Sequence, residues 1–182
     1  MERNVTMIAL FAALIAALSL VPKLDLISGV PISAQSLGVM LAGTVLGKRN
    51  GTLAVLLFVA VALAGLPILA GGRGGLGVLA GPTVGYLVGF PVAAFVAGWV
   101  VEKWRSVDIG VAAFAGAVLG GIVALSILGT IGMAIVLDKT LLEAAFLALP
   151  FVPGDLIKAV IVAAITRSLF AMRPQFVTSR AA

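Results

Sequence analysis

The chain has no cysteine and no histidine. The first absence excludes disulfides, and the two together exclude the usual zinc sites, Ser-His-Asp hydrolysis and histidine acid-base catalysis. Charge is scarce as well: 12 Lys and Arg with 7 Asp and Glu make 10% of 182 residues, against about 25% in a soluble domain. Trp and Tyr are few, two and one beside nine Phe, so a flat conjugated ligand would find few large rings to stack on. No carboxylate cluster resembles a metal cage, so no metal is expected. No phosphate-binding loop occurs either. Gly43 to Lys48 misses that pattern in spacing and lacks the following Ser or Thr.

What remains is apolar. Hydrophobic residues make up 62% of the chain and the mean hydropathy is +1.26, which reads as an all-α integral membrane protein whose solvent is the lipid bilayer. Met1 to Val21 carries Arg3 before an apolar run, as a signal peptide does. Its small residues recur through the run instead of marking a cleavage site, so it is kept as a helix. The whole chain, 1–182, reads as one membrane domain, a compact bundle of six spanning segments at about 5–21, 34–47, 53–66, 83–101, 109–137 and 154–172. Prolines 22 and 67 stop the first and third. Lys48-Arg49-Asn50-Gly51 makes a basic turn between the second and third, and the connection from Pro22 to Ser33 carries Lys23 and Asp25. Leu141 to Leu149 reads as a short helix near the surface, broken by Pro150 and Pro153.

Charge sets the orientation. With the N-terminus inside, the inner turns and tails hold eight basic residues (Arg3, Lys48, Arg49, Lys103, Arg105, Arg167, Arg173 and Arg180). The outer connections hold three, Lys23, Arg73 and Lys139. That bias puts both termini in the cytoplasm of a prokaryotic inner or plasma membrane. The net charge of +5 is therefore a topology signal, and no nucleic-acid partner is expected.

Two stretches are chemically unusual. Gly71 to Phe90 holds eight glycines and the single charge Arg73, a density that suits a shaped loop closely approached by other groups. Its Gly72 to Gly77 satisfies G-x-G-x-x-G, but an outer loop is the wrong context for a dinucleotide fold. Lys158 lies inside the last segment, with Asp155 three positions earlier on roughly the same helix face. Nine residues from Arg167, Lys158 sits about 13 Å from the inner edge, near the middle of a hydrocarbon core about 30 Å thick. Charges at that depth are costly and mark a substrate or ion path by default, although a mutually neutralising pair can also serve only to fix helix packing. Asp155 can accept N–H bonds and Lys158 can donate to a carbonyl, so the pair suits a polar ligand ring. The prolines before them leave free backbone N–H groups at a helix start. In the first helix, alanines at 9, 13 and 17, and again at 12 and 16, form smooth strips against which another helix packs, either within this chain or in a partner subunit.

Four stretches together resemble the BioY family, the biotin-binding S components of energy-coupling-factor transporters. They are Pro31-Ile-Ser-Ala-Gln-Ser-Leu-Gly38, Gly71 to Gly77, Gly81-Pro-Thr-Val-Gly-Tyr-Leu-Val-Gly-Phe90 and Pro150-Phe-Val-Pro-Gly-Asp-Leu-Ile-Lys158. One departure is Val84, where the family often has a second glycine. The resemblance implies a six-helix bundle that holds biotin near its outer face. Asp155 and Lys158 would meet the urea of the fused ring and Arg73 the valerate carboxylate, with Gln35, Tyr86, Gly74, Gly75 and Thr83 as further substrate-binding positions. It also implies that Ala9, Ala13 and Ala17 dock a transmembrane coupling subunit, and that two cytoplasmic ATPases power uptake. The chain itself would be no enzyme and would need no cofactor beyond its ligand. The alternatives are an S component for riboflavin or thiamine, a self-sufficient transporter in which Asp155 and Lys158 relay ions, and an intramembrane enzyme. The lack of His and Cys and the single carboxylate at membrane depth argue against the last.

Overall fold

The computed structural model describes residues 2–23 and 29–180, so Asp25 of the first connection lies outside the described residues. Helices α1 (Glu2–Ala17), α2 (Gln35–Leu63), α3 (Val84–Lys103), α4 (Ile109–Ala117), α5 (Leu125–Val136), α6 (Leu141–Ala148) and α7 (Phe151–Met172) follow in order, and a π segment, Val118–Ala124, joins α4 to α5. No strand occurs among the described residues, which removes the dinucleotide-fold context for Gly72 to Gly77. The core is lined by small and branched residues, among them Ile15, Val39, Ala42, Val55, Ala93 and Val162. Leu, Ile, Val and Phe also cover the outside, with Leu10, Val88, Ile127, Ile135 and Ile157 all more than half exposed. A bundle that is apolar both inside and out is built for lipid. Among the described residues four helical stretches are long and apolar enough to cross a membrane, and the α6–α7 pair, bent by 52°, makes a fifth when counted as one span.

The expected basic turn at Lys48–Gly51 is instead helical, and the chain reverses at a single residue, Gly47 (φ 82°, ψ 176°). Beyond it Gly51 lies against Ala42 and Gly43, and Gln35 at the start of α2 reaches Ile68 and Ala70 past its end, so α2 is a hairpin of two antiparallel arms, 35–46 and 48–63. One residue suffices because other elements satisfy the freed backbone groups. Glu102 at the end of α3 accepts the Lys48 N–H at 2.9 Å and pairs with its ammonium at 3.3 Å. The C-terminal tail folds underneath, where the Thr178 hydroxyl donates to the Leu46 carbonyl at 2.9 Å and the Ser179 hydroxyl to that of Thr44. Arg180 donates to the carbonyls of Trp104, Arg105 and Val107 beyond α3. Orphan groups at two helix ends are thus covered by side chains of other elements.

The π segment interrupts the span expected at 109–137. Gly116 and Gly120 face the α3 backbone at Ala97 and Ala93, as their spacing suggests, but the face does not continue at α-helical spacing. Residues 123, 127 and 131 are exposed, while Leu125, Gly129 and Gly132 take over toward α3. One extra residue in a helix turn shifts the register of everything after it.

Two boundaries also move. The last helix starts at Phe151, three residues before the expected Gly154, because Pro153 falls in its first turn, where a missing N–H costs nothing. The first spans Glu2–Ala17 and tightens into a 3₁₀ turn, Leu18–Leu20. Leu18 and Ile15 lie against Gly38, near the start of α2, so the start of α1 and the C-terminal tail share the opposite end of the bundle.

Candidate functional site

A cavity of about 620 Å³, including its open mouth, occupies the end of the bundle away from both chain ends. Its walls come from every part of the chain that the sequence marks as unusual: residues 30–36, the glycine loop, the start of α3, Leu125 and the start of α7. Most of the wall is apolar, contributed by side chains such as Leu69, Leu87, Phe90, Leu125 and Phe151.

Polar groups converge at one place. Lys158 donates to Asp155 Oδ1 at 2.8 Å, and the Ser36 hydroxyl lies between α2 and α7, donating to the same carboxylate oxygen at 3.2 Å and accepting from Lys158 at 2.9 Å. The pair is therefore closed, with one carboxylate oxygen held by both partners. Asp155 is buried and Lys158 half-buried, their side chains 11% and 14% exposed, which is rare for an ion pair flanked by apolar helices. Ser36 is the residue that sequence reasoning missed. It sits inside the Pro31–Gly38 stretch, but nothing in its spacing links it to an aspartate 119 positions away.

Arg73 reaches the cavity from the glycine loop, where its Nε donates to the Ala70 carbonyl at 3.2 Å. Among the described residues no carboxylate pairs with it. The loop around it is ordered by its own backbone: Leu69 and Arg73 form an isolated bridge, and Gly72 N–H returns to Leu69 at 2.9 Å. Among the described residues the ionic lining is thus two cations and one anion, which favours a ligand carrying a negative charge.

The remaining expected positions divide. Thr83 and Tyr86 line the cavity. The Tyr86 ring tilts against Phe151 at 5.5 Å between centroids, and its hydroxyl oxygen is buried with no hydrogen-bond partner among the described residues. Gln35 also lines the cavity, yet its amide is engaged elsewhere, donating to the carbonyls of Ile68 at 2.9 Å and Ile15 at 3.4 Å and accepting from Ala70 N–H at 3.0 Å. It ties the glycine loop to α1 and α2. Gly74 and Gly75 are not in the wall. Gly74 presses against the Leu66 carbonyl, and Gly75 N–H donates to Ala62 at 2.8 Å, so they fold the loop back onto the end of α2. The alanines of α1 split by face: Ala12 and Ala16 turn into the bundle, whereas Ala9, Ala13 and Ala17 are exposed.

A helical bundle dressed for lipid, with an open-mouthed cavity and an internal ion pair, defines a membrane-embedded small-molecule binding protein. The chain belongs to the BioY family, whose model matches residues 2–175. It is 50% identical over 189 residues to the biotin transporter BioY of Rhodobacter capsulatus, covering 99% of this chain and 100% of that one. It is 44% identical to the biotin transporter BioY of Rhizobium etli, covering 94% and 95% respectively. A crystal structure of the S-component for biotin from an ECF-type ABC transporter superposes with a TM-score of 0.90 at 30% identity, over 97% of this chain and 96% of that one.

Proposed function

We propose that this chain is the biotin-capturing membrane subunit of an energy-coupling-factor uptake transporter, with ATP hydrolysis carried out by two partner subunits. The observation that carries the reading is the Ser36–Asp155–Lys158 cluster at membrane depth in a mostly apolar cavity. Biotin's fused ring ends in a urea with two N–H donors and one carbonyl acceptor. Asp155 has a second carboxylate oxygen to accept from the donors, and the Lys158 ammonium has donors left for the carbonyl. The apolar wall suits the rest of the ring and the valerate chain, and Arg73 on the loop side suits the carboxylate.

In this reading the chain crosses the membrane six times, each arm of α2 making one crossing and the bent α6–α7 pair another. Lys48, Lys103, Arg105 and Arg180 gather at the end opposite the cavity, so the positive-inside bias puts both termini in the cytoplasm and the cavity outside. The exposed Ala9, Ala13 and Ala17 face of α1 is the surface for the coupling subunit, where small side chains let a second helix approach closely.

Equilibrium binding of biotin to the purified subunit in detergent tests the reading, with riboflavin and thiamine as controls. Tight binding of biotin alone is the expected result, and a well-folded sample that binds none overturns it. Arg73→Ala is expected to weaken biotin about 10- to 100-fold, corresponding to one charge-assisted contact of about 1.5–3 kcal/mol. Biotin amide, which lacks the charge, should bind the variant and the parent alike. An equal loss for both ligands would move the carboxylate contact elsewhere.

A further inference from the structure

We propose that Gly129, acting through Tyr86, sets the size of the ring system that the cavity admits; the inference rests on the biotin reading above. Gly129 lies on α5, one helical turn beyond the cavity-lining Leu125. A methyl group at 129 would stand within 3.0 Å of Cζ, Cε1 and Cε2 of Tyr86, at nearly equal distances from all three. Since Cζ carries the hydroxyl, such a point lies over the ring face, so the ring rests flat on the glycine.

The ring has little freedom elsewhere. Phe151 tilts against it at 5.5 Å, and its hydroxyl oxygen is buried. The side left open is the cavity, which Tyr86 lines. A methyl at 129 must therefore push the ring about 1 Å or more into the cavity to regain ordinary contact at about 3.5–4.0 Å. Phe151 stands one helical turn before Asp155 on α7, so the Tyr86–Phe151 wall borders the ion pair, where the fused ring head belongs. Space lost there is taken from the ring head and not from the acid chain. The π segment has a part in this, because its register shift is what brings Gly129 beneath Tyr86.

The test compares biotin with desthiobiotin, the monocyclic urea that lacks the sulfur-containing ring. Both are titrated against the parent, Gly129→Ala, Tyr86→Leu and the double variant in detergent. Gly129→Ala should lose about tenfold or more for biotin, the scale on which a pocket rejects one surplus methylene, and less for the monocyclic ligand. With Leu at 86 the ring is gone, and adding Ala at 129 should change neither affinity more than about twofold, the mark of two positions acting through one contact. If Gly129→Ala alone fails to fold, the double variant carries the test. Biotin binding equal to that of Tyr86→Leu supports the proposal, and failure of the double variant to fold or bind overturns it. An unchanged biotin-to-desthiobiotin ratio in Gly129→Ala overturns this inference alone. Absence of biotin binding by the parent overturns it together with the reading on which it rests.

Discussion

Asp155→Ala is expected to abolish biotin binding at micromolar concentrations, a loss of at least about 100-fold. Among the described residues the carboxylate is the only acidic group in the cavity wall, and each charge-assisted bond it would make to a urea N–H contributes about 1.5–3 kcal/mol. Lys158→Ala removes the donor to the urea carbonyl and should weaken binding nearly as much. Each single variant also leaves one member of a pair that is only 11% and 14% exposed without its partner. Breaking a buried pair in this way costs about 3–5 kcal/mol, so both variants should melt well below the parent. The double variant Asp155→Leu with Lys158→Met separates the two effects. Replacing a buried pair by apolar side chains of similar size is often neutral or stabilising, so its melting temperature should recover while binding stays lost. Near-parental affinity in either single variant would remove the cluster from the binding site.

Gly47→Ala is expected to destabilise the fold by about 3–5 kcal/mol, combining the backbone strain of a glycine-only conformation with loss of the contacts around it. The residue sits at φ 82° and ψ 176°. An added methyl would stand 2.5 Å from Glu102 Oε1, the atom that receives the Lys48 N–H, and 3.3 Å from Ser179 Cα. Strain at this point would splay the two arms of α2, which together hold Ser36 at one end and the C-terminal tail at the other. Gly77→Ala is the control, because nothing lies within 4 Å of a methyl there and such a change should stay within about 0.5 kcal/mol. Thermal melting in detergent reads both. Equal melting of the two variants would show that the hairpin does not depend on Gly47.

Much of the architecture was legible from pattern alone, since membrane helices advertise themselves by length and hydropathy. The hairpin between the second and third segments was legible too, but its form was not. Lys48, Arg49 and Asn50 look like a solvated turn, but Glu102 takes up the Lys48 N–H at the start of the second arm while the tail hydroxyls cap the end of the first. The site followed the same division. Lys158 and Asp155 stood out because charge at membrane depth is expensive, and Arg73 because it is alone in its loop. Gln35 was readable as a polar residue near the cavity, yet its amide is taken up by three backbone groups of distant segments. Gly74 and Gly75 share Arg73's loop and nevertheless point their backbone at α2.

What the sequence by itself determined was therefore the solvent and the placing of Asp155 and Lys158 on one helix face, because these depend on composition and on spacing along one helix. Tertiary structure alone decided that Ser36 joins Asp155 and Lys158, that the pair is closed, and that a π turn seats Gly129 under Tyr86. Each of these depends on how one helix is rotated and shifted against another. That rotation is chosen by packing small residues on facing helices, and no local periodicity records it.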